Sequence, residues 1–215
     1  QNSEIFDLFK SNKRILLFLI NEKILIVDEY FVRQIIKSKY IQKKYPQYFS
    51  PEIRPFVKEK WFLNYNQDDG FNMIELIKEI KKEIPDNFYE LRNIGENSCY
   101  LCKLIREDLV EDFIKYVNRN IISLNATIKL SIYETNSHLI KEKVSLIEYT
   151  AFFGSIQIFT FLKNEGVKMT SSLWIDAIHS KNAELIHHLE DNHVETTIIV
   201  NRNHSKNERK PYKGF

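Results

Sequence analysis

Apolar residues recur along this chain at helical spacing, in short stripes broken by polar clusters. Ile5, Phe6, Leu8 and Phe9 make a first stripe, and Ser11-Asn12-Lys13-Arg14 interrupts it. Ile15, Leu16, Phe18, Leu19 and Ile20 make a second, so nearly continuous that it predicts a helix buried on most sides. Residues 24–27 fit a short strand or a loop. Asp28 stands where an N-cap belongs, ahead of a stripe at Tyr30, Phe31, Val32, Ile35 and Ile36. Residues 37–60 hold three of the prolines, several lysines and interleaved tyrosines, with a helix start at Ser50-Pro51-Glu52. The polar run 64–70 predicts a turn. Met73, Ile74, Leu76, Ile77, Ile80 and Ile84 then mark an amphipathic helix that Pro85 stops, and Asp86-Asn87 opens a short one.

From Ser98 the stripes come in pairs. Tyr100, Leu101, Leu104 and Ile105 precede a break at 106–108, and Val110, Phe113, Ile114 and Val117 follow it. Residues 121–142, rich in Ser, Thr and Asn, predict a long connection with short extended pieces. Residues 144–169 carry two stripes around Gly154, closed by Gly166. Leu173, Trp174, Ala177 and Ile178 precede a last break, followed by Leu185, Ile186 and Leu189. Beyond residue 196 the period is lost, and the polar, basic run to 215 has too little apolar area to offset the entropy of ordering.

Aligned on the breaks, the second stripes share one internal spacing: Ile15/Leu16 and Leu19, Phe113/Ile114 and Val117, Ile158/Phe159 and Leu162, Leu185/Ile186 and Leu189. Four copies of one spacing predict stacked helix-turn-helix units. The copy at 145–167 resembles an ankyrin repeat. Ser145-Leu146-Ile147 stands at the family's Thr-Pro-Leu, Thr150-Ala151 at its small pair and Gly154-Ser155 at its Gly-His turn. Ile158-Phe159, Leu162 and Gly166-Val167 match the second helix and the closing glycine, and the two glycines are 166 − 154 = 12 apart, as in that family. The next copy is offset by 181 − 154 = 27 and the previous one by 154 − 109 = 45, against about 33 in the family. The offsets predict a trimmed finger after one unit and an insertion at 121–142. The Thr-Pro-Leu-His signature is missing, which puts the usual hydrogen-bonded loop stack in question. Phrases from SNKRILLFLI to SLIEYTAFFGSIQIF resemble the expanded ankyrin proteins of parasitic protists, in which a helical domain of unknown function precedes or overlaps the array. That resemblance implies an all-α solenoid used for protein binding, with an N-terminal helical domain at 1–95, repeats at 96–195 and a basic tail at 196–215. The missing initial Met and the break in the text after Glu195 fit a fragment or a truncated member.

Composition narrows the functions. Five Gly and five Pro in 215 residues argue against a β-sandwich or barrel. Lys and Arg number 31 against 29 Asp and Glu, a net +2 that leaves no electrostatic footprint for nucleic acid or an anionic membrane. No apolar run approaches the roughly 20 residues of a bilayer span, and no signal peptide heads the chain. Two cysteines give no disulfide framework, so a reducing cytoplasmic or nuclear compartment is expected.

Candidate chemistry is sparse. Cys99-Tyr-Leu-Cys102 lacks a second ligand pair for zinc and lies in helical text, so two packed core thiols are the expectation against a redox pair. His179, His187, His188 and His193 cluster without a carboxylate to complete a metal shell. Glu107, Asp108, Glu111 and Asp112 follow a turn and suit a helix dipole. No phosphate-binding, nucleophile-elbow or metalloprotease motif occurs. Phe152-Phe153 reads as packing between repeats ahead of an exposed anchor. The expected protein is a monomeric, non-enzymatic interaction module that needs no cofactor, has another protein as partner and uses no membrane. Two alternatives stay open: nucleic-acid binding through 37–60 and the tail, and an enzyme with an unrecognised site in 1–95.

Overall fold

Each polar break seen in the sequence becomes a turn between helices. The computed structural model describes residues 1–37, 44–59, 62, 73–140 and 143–196. The turn at 64–70, Tyr40, and the tail beyond residue 196 lie outside them. Among the described residues the protein is all-α: thirteen α-helices, one 3-10 turn and no strand. The helices are α1 (Asn2–Phe9), α2 (Lys13–Asn21), α3 (Glu29–Lys37), α4 (Tyr45–Tyr48) and α5 (Ser50–Ile53), which runs into the 3-10 turn Arg54–Lys58. Then come α6 (Met73–Lys81), α7 (Phe88–Ile94), α8 (Tyr100–Arg106), α9 (Val110–Arg119), α10 (Leu146–Phe153), α11 (Ile156–Asn164), α12 (Leu173–Ser180) and α13 (Ala183–Asp191).

The apolar side chains gather into two clusters. One draws on residues 6–80 and is centred on Phe31, Tyr48, Phe49 and Ile53; the other draws on residues 101–189. In the second, α8–α9, α10–α11 and α12–α13 pack as antiparallel pairs. The first helices stack in the order α8, α10, α12, most extensively α10 on α12, and α9 packs on α11 behind them. Ala151 and Ala177, both fully buried, let these backbones approach.

Local chemistry sets the ends of each pair. Ser145 and Glu148 form a reciprocal capping box at the start of α10. Gly154 ends that helix at φ +74, a conformation that a side chain disfavours. Asp108 and Lys181 occupy the same left-handed position in the neighbouring pairs, at φ +51 and +57. The structural equivalent of Gly154 is therefore Asp108, one residue before the sequence alignment put it, because α9 has ten residues and α11 nine.

The turns are joined to one another. Ser155 Oγ donates to the Ile105 carbonyl at 2.5 Å, and Asn182 Nδ2 donates to the Gly154 carbonyl at 3.2 Å. The Asp108 carboxylate accepts from the backbone amides of Gln157 and Ile158, both at 3.0 Å, capping α11 from the preceding pair. A hydrogen-bonded ladder thus links the turns although the family's Thr-Pro-Leu-His signature is absent.

The N-terminal helices differ from the sequence reading. In α2 the buried residues are Lys13, Leu16 and Leu17, whereas Ile15 is 37% and Phe18 58% exposed. The expected anchor at Ile15 is wrong for this helix, which does not stack on α8 as the other pairs stack on each other. Residues 24–27 form a loop, and Asp28 caps α3 by accepting from the Phe31 amide at 2.8 Å.

The 121–142 connection carries one isolated antiparallel bridge, Thr127 to Ser145, rather than strands. Its described part is a strap between the two clusters. The Lys129 carbonyl accepts from Asn97 Nδ2 at 3.0 Å, the Ile132 carbonyl from Lys13 Nζ at 2.6 Å, and Thr135 donates twice to the Gly95 carbonyl. Beside it, Arg92 of α7 pairs with Glu52 of α5 at 2.9 Å, with both side chains largely buried.

Candidate functional site

The first helices α8, α10 and α12 present one continuous row of polar and aromatic side chains. Arg106, at the end of α8, pairs with Glu96 at 2.9 Å and donates through Nη1 to the Asn97 carbonyl at 2.8 Å and the Tyr149 hydroxyl at 3.0 Å. Its guanidinium lies 5.9 Å over the Phe153 ring, which Tyr149 also packs against. Phe152 is buried and stacked on both His179 (3.8 Å, 17°) and His138 of the strap (5.7 Å, 11°). His138 Nε2 stands 2.6 Å from the carboxylate of Asp176, a residue only 2% exposed. Ser172 Oγ donates to Glu148 at 2.7 Å and ties the start of α12 to that of α10.

At the outer end of the row the surface turns apolar. Ile175 and Ile178 of α12 are 51% and 66% exposed, and His179 is exposed beside them. Positions i, i+3 and i+4 fall on one side of a helix, so these three make a single stripe.

At the other end lie the two thiols. Cys99 is the N-cap residue of α8 and is exposed; Cys102, in the first turn, is fully buried. The Cys102 hydrogen bond, with the amides of Leu101 and Cys102 and the nearby Arg106 charge, pulls the Cys99 thiol down to about 5 against burial. Cys102 is pushed strongly up by that same bond, by burial and by the Cys99 charge, while Tyr149 and Arg106 work the other way. The expectation of two packed core thiols is thus corrected at Cys99: Asn97 Oδ1 takes its amide at 3.0 Å and turns the residue outward.

No family model, curated protein or solved structure matches the chain.

The repeat residues named from sequence fall as follows. Ser145 caps α10; Leu146 and Ala151 are buried in it. Ile158, Phe159 and Leu162 are buried in α11, Leu185 and Leu189 in α13, and Ile186 is partly buried. Gly166 takes φ +78 after α11, and Val167 packs behind it at 7% exposure. The histidines of the last pair do not converge. His179 stacks on Phe152, His187 pairs with Glu190, and His188 faces Lys163 Nζ at 3.4 Å. Among the described residues no three His, Cys, Asp or Glu side chains are placed to hold a metal. Glu107, Glu111 and Asp112 meet Lys103 and Lys115 at the surface.

In the N-terminal part, a cleft of about 220 Å3 lies between Gln47, Ser50, Glu79, Lys82, Phe88 and the strap at Ile132 and Tyr133. Glu79 is paired with Lys82. Of the described aromatics in the Lys/Tyr segment, Tyr45, Tyr48 and Phe49 are at most 1% exposed and serve the core, and Phe56 packs partly buried against it. No helix among the described residues is long and apolar enough to cross a membrane.

The His138–Asp176 contact and the exposure of Cys99 escaped the sequence reading. The first joins residues 38 positions apart, with no periodic signal. The second had one: Asn97, two residues before Cys99, is a residue type that turns the backbone ahead of a helix.

Proposed function

We propose that this chain is a non-catalytic interaction module of the ankyrin type. It binds another protein with the face built from α8, α10 and α12, needs no cofactor, and works as a monomer in the cytoplasm or nucleus. The observation that carries the reading is the stacking order of the first helices, α8 on α10 on α12, with the second helices behind. Such an arrangement leaves one helix layer free for recognition while neighbouring units hold each other in place. Exposed Ile175 and Ile178 supply apolar anchors on that layer, and Lys103, Arg106 and His179 supply its polar contacts. Tyr45, Tyr48 and Phe49 are buried in the core, which weighs against their stacking on bases as the nucleic-acid reading would have it. In the cleft at Gln47 and Ser50, Glu79 is paired with Lys82, a surface ion pair that calls for no chemistry.

The test is photo-crosslinking from position 175 or 178 in the source cell, with the Ile175→Asp/Ile178→Asp variant as the comparison. A defined protein should be recovered at substoichiometric probe levels and lost with the variant, whose helical spectrum should be unchanged. Equal recovery with both proteins would remove this face from the reading. Retention on single-stranded DNA that weakens steeply with salt would favour the nucleic-acid alternative.

A further inference from the structure

Cys99 and Cys102 stand three residues apart across the start of α8, on one side of the helix. Cys99 has extended backbone, φ −62 and ψ 135, and so stands just outside the regular turns of α8 that hold Cys102. One thiol is open to solvent and the other is sealed in the core. Beside the pair, Arg106 Nη1 donates to the Tyr149 hydroxyl at 3.0 Å, and the Arg106 charge favours the thiolate at both sulfurs.

We propose that Cys99 and Cys102 are a redox-active dithiol that reduces low-molecular-weight disulfides, Cys99 attacking and Cys102 resolving. The Cys99 thiolate attacks one sulfur of the small disulfide; that S–S bond breaks, and one thiolate leaves and takes a proton from water. The product is a mixed disulfide at Cys99. Cys102 then loses its proton to solvent and attacks the Cys99 sulfur, expelling the second small thiolate, which is protonated in turn. Two electrons pass from the protein dithiol to the small disulfide, giving a Cys99–Cys102 disulfide and two small thiols.

The environment favours this order. Cys99 holds its thiolate at neutral pH, where it can start the exchange. Cys102 is kept protonated by its hydrogen bond to Cys99, by burial and by the Cys99 charge. Once the Cys99 sulfur is bonded to the small thiol its charge is gone while burial remains, and Tyr149 and Arg106 then favour the Cys102 thiolate against burial.

The test treats the full chain with oxidised glutathione at neutral pH, quenches in acid, blocks free thiols and weighs the intact protein. The wild type should lose two hydrogens, keep no glutathione and show residues 99 and 102 linked. Cys102→Ser should hold one glutathione at Cys99; Cys99→Ser should stay reduced at Cys102. Tyr149→Phe should accumulate the mixed disulfide before closing. A wild type that stops at the mixed disulfide, or a Cys99→Ser chain that is glutathionylated at Cys102, overturns the assignment. Should the serine variants unfold, the wild type alone decides through the pH dependence of its alkylation by iodoacetamide. A single rise with a midpoint at about 5 is expected. A midpoint at about 8.5, the free-thiol value, overturns the proposal.

Discussion

The Lys13 ammonium lies at 1% exposure, under the Tyr48 ring at 4.5 Å and against the Ile132 carbonyl at 2.6 Å. Burial pulls its pKa down to about 7, against the attraction of the Glu134 carboxylate, while the unfolded chain keeps the ordinary 10.5. Between those values the unfolded state binds the extra proton, so stability rises with pH across that window and is flat above it. We expect a gain of roughly 1 kcal/mol per pH unit over much of this range, read from urea midpoints. Lys13→Met should remove about that much of the slope, leaving the rise that the lowered Cys99 thiol contributes below its ordinary value of 9.0, and an unchanged slope would show that Lys13 is not responsible. Glu134 has the opposite sign: burial raises its carboxyl, so its contribution to stability falls as pH rises past the ordinary carboxylate range. Gly95 is the second sensitive point. It sits at φ +77, and an added Cβ would come within 2.8 Å of Thr135 Oγ1, the hydroxyl that donates to the Gly95 carbonyl. Gly95→Ala should cost about 3 kcal/mol in denaturant unfolding, from left-handed strain and a displaced strap. Gly166→Ala, with nothing within 4 Å, should cost only about 1 kcal/mol.

Some helix ends in this protein are finished by residues of a neighbouring pair. Asp108 is the clearest case, because its carboxylate takes the two amides at the start of α11 from 49 and 50 residues away. Asp108→Ala should lower stability by about 1–2 kcal/mol in thermal or urea unfolding, whereas Asp108→Asn, which keeps an acceptor, should lose less. No effect of Asp108→Ala would mean that solvent caps α11 equally well. The same elements show what a linear reading can find. Helices α3, α6 and α8 to α13 were legible because their apolar residues repeat at the helical period, and Gly154 and Gly166 were legible because a left-handed position selects glycine. The neighbouring left-handed sites were not, since Asp108, Ile121 and Lys181 fill them. Lys13 looked like part of a polar break because nothing local announces a carbonyl 119 residues away. Phe18 looked buried because apolarity alone was counted, without knowing which side of α2 has a neighbour. The ladder of turns was hidden for the same reason: its partners are distant in the chain, and their residue types are common in any turn.

At the level of the whole molecule, the question is whether two apolar clusters unfold as one. Among the described residues, the region between them is tied by the Arg92–Glu52 pair, the Lys13–Ile132 hydrogen bond and the strap's hold on Gly95, among other contacts. Arg92 also donates to the Tyr48 carbonyl and lies near the rings of Phe88 and Tyr89, so its removal strands a carboxylate in a mostly buried place. Arg92→Met should cost about 3–5 kcal/mol and split a single denaturation transition into two. The double variant Arg92→Met/Glu52→Leu should recover much of that loss, because it removes the unpaired charge. A double variant as unstable as the single one would place the loss in packing instead. The ladder of turns bears on something else, the shortest piece of this chain able to stand alone. The Ile105 carbonyl waits for Ser155, the α11 amides need Asp108, and the Gly154 carbonyl is met by Asn182. A helix pair cut out singly would therefore carry raw ends on both sides, and two adjacent pairs are the least that can close even one set. Excision, permutation or lengthening of this array accordingly has to move whole neighbours together, with its natural seams inside the helices' partnerships rather than at the loops between pairs.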